Sequence, residues 1–237
     1  MKTNVIIPCA GEGSRMYEIS KGLPKQMLII KDKPVISWIL DILIKKKFEY
    51  FIIIINDNDK YIKNFIKSNY KNININFIYQ KELNGLLGAI KLAQPFIKSS
   101  DQLIFLSDTI TFDFFDFDED FVAYKQVQDF QRWCLIETKD GYVKQFIDKP
   151  KSKVSTNKAL IGVYYIKNSQ LWDKCIQYII NQNIKVNKEF QISSALEIYI
   201  KTIKVHAKEV KTWLDIGSPD NYFKAIQYFQ DIYREED

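Results

Sequence analysis

Two glycines flank an acidic residue near the start of the chain, in the segment CAGEGSR at residues 9–15. Gly11 and Gly13 let the backbone approach a ligand closely and adopt positive φ angles, so that successive N–H groups can point at a phosphate chain. Arg15 closes this segment and Lys25 follows in GLPKQ. Together these residues predict binding of a nucleoside triphosphate. The alternative is a tight strand–loop connection with two solvated cations.

The glycine loop does not match two common phosphate-binding motifs. The Walker A pattern GxxxxGK[ST] is absent, and Met16 stands where the dinucleotide motif GxGxxG has its third glycine. The loop therefore predicts phosphate binding without assigning one of these motif classes.

Two aspartates follow short apolar segments, in positions that suit Mg²⁺. Asp108 ends the segment QLIFLSD, and Asp215 lies in WLDIGSPD. Ligands of open α/β sheets bind at the carboxyl ends of strands, and aspartate is a good Mg²⁺ ligand. The alternative for Asp108 is a helix or turn cap, and the alternative for Asp215 is an aspartate that forms a turn. Asp148 and Lys149 also follow a predicted strand. They are a weak signal of a binding site on their own, because Asp–Lys pairs are common on protein surfaces.

Strands and helices alternate over the first hundred residues, and these elements must position the loop and the carboxylates. Predicted strands cover residues 4–8, 27–30, 49–55, 73–79 and 102–106, with a polar loop over 9–26. Predicted helices cover 34–46, 57–68 and 85–97. The β-branched run at 49–55 is typical of a parallel strand buried on both faces. The pattern predicts an α/β fold with an open, mostly parallel sheet and helices on both faces.

The second half of the chain has a different pattern. Strands at 133–138 and 142–147 flank the turn signal at 139–141 and predict a hairpin. Another strand is predicted at 159–166, and helices at 169–181 and 219–233. The acidic and aromatic residues 113–120 fit a capped helix start or a solvated turn as well as they fit a metal site.

Composition excludes several classes of protein. The 237 residues are 46% apolar and 27% charged, and the net charge of +5 is dispersed, which argues against a nucleic-acid partner. Three scattered cysteines and a single histidine argue against a disulfide framework, histidine triads and histidine-rich metal sites. Without a signal-peptide pattern or an 18-residue apolar run, we expect a cytoplasmic protein with no membrane partner.

The motifs together resemble the sugar-phosphate nucleotidyltransferases, particularly the glucose-1-phosphate thymidylyltransferase and uridylyltransferase branch. The similar segments occur in family order from residue 4 to about residue 228: AGEGSRM, LPKQMLIIKDKPVISWIL, QKELNGLLGAI, LSDT, DKP, LIGVYYI, KEFQIS and WLDIGSPDNYFKA. The resemblance implies a single-domain, Rossmann-like mixed sheet (a GT-A-like nucleotidyltransferase fold), without the C-terminal helical extension of longer members. Residues 1–112 would form a nucleotide-binding half and residues 113–237 a sugar-phosphate-binding half.

The same resemblance implies roles for individual residues. Arg15 and Lys25 would be catalytic and hold the triphosphate. The nucleotide would contact Ala10, Gly11, Gly13, Ser14, Gln26, Gln80 and Gly85. The sugar phosphate would contact Cys134, Asp148, Lys149, Gly162, Tyr164 and Glu189. Mg²⁺, the implied cofactor, would bind Asp108 and Asp215.

The reaction implied is the joining of a nucleoside triphosphate, dTTP or UTP, to a sugar 1-phosphate with release of pyrophosphate. Two departures bear on the acceptor: Asp148 replaces a glutamate of the family, and Cys134 stands about where the family has a glycine. Both a monomer and a homo-oligomer fit the sequence.

Three other functions remain open from the sequence. One is a cytidylyltransferase that acts on another phosphorylated acceptor. Another is a relative that binds nucleotide without turnover, although the retained Arg15, Lys25, Asp108 and Asp215 argue against it. A glycosyltransferase would want a DxD motif at a strand end, whereas Thr109 and Ile110 follow Asp108.

Overall fold

A nine-stranded mixed sheet runs through the protein, and helices cover both of its faces. The computed structural model describes residues 3–97, 101–113 and 115–234. The strands are β1 (Asn4–Pro8), β2 (Ile29–Ile30), β3 (Lys33–Pro34), β4 (Tyr50–Asn56), β5 (Asn74–Gln80), β6 (Gln102–Phe105), β7 (Thr109–Ile110), β8 (Phe121–Gln126), β9 (Cys134–Lys139), β10 (Tyr142–Asp148), β11 (Lys158–Ile166), β12 (His206–Glu209) and β13 (Leu214–Asp215). The helices are α1 (Tyr17–Ser20), α2 (Val35–Lys45), α3 (Tyr61–Asn69), α4 (Leu86–Ala93), α5 (Ser169–Asn181), α6 (Ile192–Tyr199) and α7 (Pro219–Arg234).

The strand order in the large sheet is β5-β4-β1-β6-β11-β8-β12-β10-β9. The first four strands are parallel, β8 and β12 form the remaining parallel pair, and the other neighbours are antiparallel. Two short pairs, β2–β3 and β7–β13, lie outside this sheet. The architecture confirms the predicted α/β class and mixed sheet, with parallel pairing concentrated in the N-terminal half.

Alternating side chains of the central strands supply two hydrophobic clusters, one on each face of the sheet. On β4, Phe51, Ile53 and Ile55 pack into one cluster, whereas Ile52 and Ile54 pack into the other. Helices α2, α3 and α7 cover the first cluster, and α4, α5 and α6 cover the second. Each fully buried large apolar side chain contributes roughly 1.5–3 kcal/mol to folding. These central strands therefore form a rigid base for the residues at their carboxyl ends.

Several local predictions were wrong. The strand predicted over 27–30 is only two residues long and forms a hairpin outside the central sheet, because Lys31 adopts a left-handed conformation with φ of 60°. The loop predicted over 9–26 contains a 3₁₀ turn at Ser14–Met16 and the short helix α1. Strands β8 and β12 and helix α6 were not predicted.

The described part of the acidic and aromatic segment 113–120 packs against the sheet. Phe115 and Phe117 join Phe121 and Tyr165 in an aromatic cluster. The Asp113 carboxylate accepts hydrogen bonds from backbone N–H groups of residues 211 and 212, at 2.8 and 3.0 Å. This segment therefore fixes the chain just before β13. Within the described residues, no helix is long and apolar enough to cross a membrane.

Candidate active site

The short antiparallel pair β7–β13 brings two distant aspartates together. Asp215 pairs with Thr109, the residue after Asp108, and the Ile216 N–H donates to the Asp108 backbone oxygen at 2.7 Å. The Thr109 hydroxyl donates to the backbone oxygen of Ile161 on β11. The predicted magnesium ligands are thus held on neighbouring short strands beside the central sheet.

The two carboxylates of this acidic pair differ in their electrostatic surroundings. Burial opposes ionisation of Asp108, but the Lys25 ammonium, 2.5 Å from its Oδ2 atom, and more weakly Arg15, hold its pKa below the ordinary value. Burial, and then the charge of Asp108, raise the pKa of Asp215. Asn221 donates a side-chain hydrogen bond to Asp215 Oδ2. Burial is the larger cause of the raised pKa of Asp215, and the contribution of Asp108 shows that the two carboxylates lie close enough to interact.

Two neighbouring carboxylates offer the oxygen donors that a divalent cation prefers. Mg²⁺ in phosphate-transfer sites usually takes one or two carboxylates, and phosphate and water oxygens complete its octahedron. Within residues 3–97, 101–113 and 115–234, no group of three or more His, Cys, Asp or Glu side chains could hold a metal ion. A magnesium ion held by Asp108 and Asp215 would therefore need further ligands from substrate and water.

A cleft of about 520 Å³ opens at the carboxyl ends of β1 and β6. It is lined by every residue predicted to contact nucleotide or to be catalytic: Ala10, Gly11, Gly13, Ser14, Arg15, Lys25, Gln26, Gln80 and Gly85. Asp108, a predicted magnesium ligand, also lines it. Glu189, predicted to contact the sugar, lines the same cleft. Asp215 lines an adjoining cavity of about 410 Å³ with Trp133 and Trp213.

The glycine loop uses its two glycines differently. Gly13 has φ of 62° and begins the 3₁₀ turn that carries Arg15, so it needs the conformational freedom of glycine. Gly11 is not in the left-handed region, and a Cβ there would have no atom within 4 Å. One Arg15 side-chain nitrogen, Nη2, lies 3.6 Å from the position of a Cβ on Gly217, so Arg15 reaches the segment beside Asp215.

Two buried glutamines, Gln26 and Gln80, line the cleft. Gln26 Nε2 donates to Ser107 Oγ at 2.8 Å, and that hydroxyl donates to the Pro8 backbone oxygen at 2.6 Å. Gln26 Oε1 is buried and has no hydrogen-bond partner among the described residues. Gln80 Nε2 donates to the Glu82 backbone oxygen at 3.0 Å. An unsatisfied acceptor is costly unless a ligand or water supplies a donor, so Gln26 is a candidate ligand contact.

Gly85 lies where the turn before α4 contacts the segment before α6. Its φ is 105°, and a Cβ would lie 2.6 Å from the backbone oxygen of Phe190. Around it, the Leu87 N–H donates to the Phe190 backbone oxygen at 3.0 Å, and the Phe190 N–H donates to the Asn84 backbone oxygen at 2.9 Å. The turn before α4 therefore packs directly on the segment before α6.

We expect Gly85→Ala to lower the free energy of unfolding by about 2–4 kcal/mol, because a left-handed alanine is strained and its methyl overlaps backbone. Urea unfolding measures this loss. Gly11→Ala is the matched control and should cost less than about 1 kcal/mol, since its methyl meets no atom. Equal losses in the two variants would contradict the packing role of Gly85.

The other residues predicted to contact the sugar phosphate are not among the described residues that line the cleft. Cys134 and Asp148 are paired across the β9–β10 hairpin, and Lys149 follows with its N–H on the Trp133 backbone oxygen at 3.0 Å. Burial, followed by the Asp148 charge, raises the pKa of Cys134 to about 12, so the thiol stays protonated. The pKa of Tyr164 is raised by burial and then by Cys134, Asp108 and Asp148. Cys134, Asp148 and Tyr164 therefore lie near one another, and Tyr164 also lies near Asp108.

Gly162 has a backbone function in this structure. Its φ is 88°, and a Cβ would lie 2.7 Å from the Leu106 side chain. The Leu106 N–H donates to the Gly162 backbone oxygen at 2.8 Å, just before Ser107 and Asp108. Gly162 therefore allows β11 to approach the end of β6, which positions Asp108.

Comparison with known proteins identifies the family. Residues 4–231 match the family model described as "Nucleotidyl transferase". The chain belongs to this family.

Individual relatives of this nucleotidyl transferase differ in length. The bifunctional protein GlmU of Methanococcus maripaludis is 30% identical over 95% of this chain, and the chain spans only 54% of it. The D-glycero-alpha-D-manno-heptose 1-phosphate guanylyltransferase of Campylobacter jejuni is 27% identical, over 93% of this chain and 97% of that protein. A solved UDP-glucose pyrophosphorylase in complex with UDP-glucose has a TM-score of 0.84 at 21% identity, covering 98% of this chain and 99% of its own, which supports the fold.

Two residues of the nucleotidyl transferase site were missed by the sequence analysis. Ser107 links Gln26 to the end of β1, and Asn221 holds Asp215 from the first turn of α7. Ser107 could have been found as the polar neighbour of Asp108 in LSDT. Nothing in the sequence pattern near Asn221 signals its contact, which depends on how α7 packs.

Proposed function

We propose that this protein is a Mg²⁺-dependent sugar-phosphate nucleotidyltransferase. It would join a nucleoside triphosphate to a sugar 1-phosphate and release pyrophosphate. The observation that carries the proposal is that Arg15, Lys25 and Asp108 line one cleft of about 520 Å³, with Asp215 held next to Asp108 by the β7–β13 pair. The names of the relatives support the reaction class, since they include a sugar 1-phosphate guanylyltransferase and a UDP-glucose pyrophosphorylase.

The chemistry of this reaction suits a site without a general base. The attacking phosphate oxygen is already ionised, so the barrier comes mainly from bringing two polyanions into line. The single histidine, His206 on β12, is not needed for proton transfer. Lys25 would neutralise charge that develops on the triphosphate, and Arg15 would hold the phosphates that leave as pyrophosphate. Both cations line the cleft beside the glycine loop.

Magnesium is part of the proposal. Asp108 and Asp215 would hold Mg²⁺, and their position side by side at the β7–β13 pair supports this assignment. When bound, the ion would neutralise phosphate charge and orient the reacting phosphates. The Lys25 ammonium contacts Asp108 and so would stay next to the cation, where it could contribute to the same charge balance.

The proposed substrates are a nucleoside triphosphate and a sugar 1-phosphate acceptor. Gln26, Gln80 and the turn at Gly85 would contact the base, with dTTP or UTP as the expected nucleotides and GTP as the alternative raised by the guanylyltransferase relative. The acceptor would lie near Cys134, Asp148, Lys149 and Tyr164, beside the acidic pair. Three free cysteines, Cys9, Cys134 and Cys175, support a reducing compartment such as the cytoplasm.

A pyrophosphate-release screen tests the proposal. The protein is incubated with each common nucleoside triphosphate, against a panel of sugar 1-phosphates and other phosphorylated acceptors, with MgCl₂ or EDTA. We expect release that requires both Mg²⁺ and a sugar 1-phosphate. Activity only with CTP and a different phosphorylated acceptor would favour a cytidylyltransferase. Nucleotide binding without turnover for every pair would favour a non-catalytic relative.

A further inference from the structure

Glu12 is an acidic side chain on a loop whose other features suit anions. It lies between Gly11 and Gly13, is exposed, and lines the cleft with Arg15 and Lys25. In the part of the chain that the structure describes, Glu12 takes part in no ion pair. Its charge therefore acts on whatever occupies the cleft.

The charged residues that line the cleft have a negative balance. Two cations, Arg15 and Lys25, face three carboxylates, Glu12, Asp108 and Glu189. Asp108 is paired with Lys25, and Glu189 packs against the turn at Gly85. Glu12 is the carboxylate on the glycine loop, residues 9–15. A cleft for a polyanion with this balance needs an additional positive charge.

We propose that Glu12 makes nucleotide binding depend on the divalent cation, because it disfavours the metal-free triphosphate more strongly than the Mg²⁺ complex. The inference rests on the proposed function and adds a specificity residue to it. Glu12 is not a metal ligand in this account. It acts through the cleft's electrostatic potential on the charge of the incoming nucleotide.

The size of the effect follows from charge. A free triphosphate carries about four negative charges at neutral pH, and its Mg²⁺ complex about two. Each unit charge about 10 Å from a carboxylate in water changes a binding constant by roughly twofold. Glu12 would thus weaken binding of the free nucleotide by up to about 16-fold and of the complex by about fourfold. Salt screens both effects.

The test is calorimetric titration of UTP, dTTP and GTP, each in MgCl₂ and in EDTA, without acceptor so that no turnover occurs. Glu12→Gln should tighten binding about tenfold in EDTA and about threefold in MgCl₂. The ratio of the two dissociation constants should therefore fall about threefold, and the difference from wild type should shrink in ~0.5 M KCl. The control is Glu18→Gln on α1, an exposed residue outside the lining of the cleft, which should change both constants by less than about twofold.

An unchanged ratio in Glu12→Gln would overturn the inference. Weaker binding of the Mg²⁺ complex would also overturn it, since that result would make Glu12 a ligand of the cation. If the wild-type protein releases pyrophosphate but Glu12→Gln binds nucleotide with the dissociation constants of the wild type, this inference is wrong and the proposed function stands. If the wild-type protein binds none of the three nucleotides in MgCl₂ or in EDTA, both the proposed function and this inference are wrong.

Discussion

Replacing Lys25 by alanine is expected to lower kcat by about 10²–10³, with a smaller change in KM for the nucleotide. The Lys25 ammonium lies 2.5 Å from Asp108 Oδ2 and lines the cleft beside the glycine loop. A cation in that position stabilises charge that develops on the phosphates during transfer, so its effect should be larger in the transition state than in the ground state. Steady-state pyrophosphate release with the nucleotide selected by the screen measures both constants.

The Lys25→Ala result needs two controls. Lys21→Ala removes an exposed cation from the end of α1, outside the cleft lining, and should leave kcat within about twofold. Lys25→Arg keeps the charge with a different shape and should recover part of the rate. Unchanged kcat in Lys25→Ala, in protein with a wild-type melting temperature, would refute the proposed role of Lys25.

Replacing Asp108 by asparagine is expected to raise the Mg²⁺ concentration for half-maximal rate by roughly 10–100-fold, the range seen when groups supporting a metal are removed. Asparagine keeps the shape of aspartate and one of its two oxygens. It loses the negative charge that attracts both the Lys25 ammonium and the proposed cation. A titration of rate against free Mg²⁺ measures the change. Calorimetric titration with Mg²⁺–UTP should show weaker binding to Asp108→Asn than to the wild type.

Asp32→Asn is the matched control for the Asp108 experiment. Asp32 is exposed in the turn between β2 and β3, and its replacement removes the same charge from the chain without touching the cleft. We expect its Mg²⁺ dependence to be that of the wild type. Wild-type Mg²⁺ dependence in Asp108→Asn would exclude Asp108 as a ligand and remove the main support for the magnesium site.

Elements with a strong local signal were predicted well. The run 49–55 is continuous, apolar and β-branched, and it forms β4 at Tyr50–Asn56. Of the predicted turn residues 139–141, Lys139 ends β9, and Asp140 and Gly141, both with positive φ, form the turn to β10. In both cases a short stretch contains all the information that its conformation needs.

Elements stabilised by distant neighbours were missed. Strand β12, HAKE, is polar and short, and it becomes a strand because β8 and β10 offer hydrogen bonds on its two sides. Helix α6 has eight residues and no side-chain cap, so its stability comes from packing its apolar face on β10 and α5. Segment 27–30 has an apolar pattern but forms only a two-residue strand.

The amino-acid sequence by itself determined the chemical inventory: a glycine loop, two cations, two aspartates at the ends of apolar segments, and an order of motifs that points to one family. Only the tertiary structure decided that Lys25 meets Asp108, that Asp215 pairs beside Thr109, and that Gly85 must be glycine because Phe190 lies against it. The physical reason is range. Backbone preferences and hydrophobic periodicity act over a few neighbouring residues, whereas charge pairing and steric fit depend on where the whole sheet places segments that are far apart in the chain.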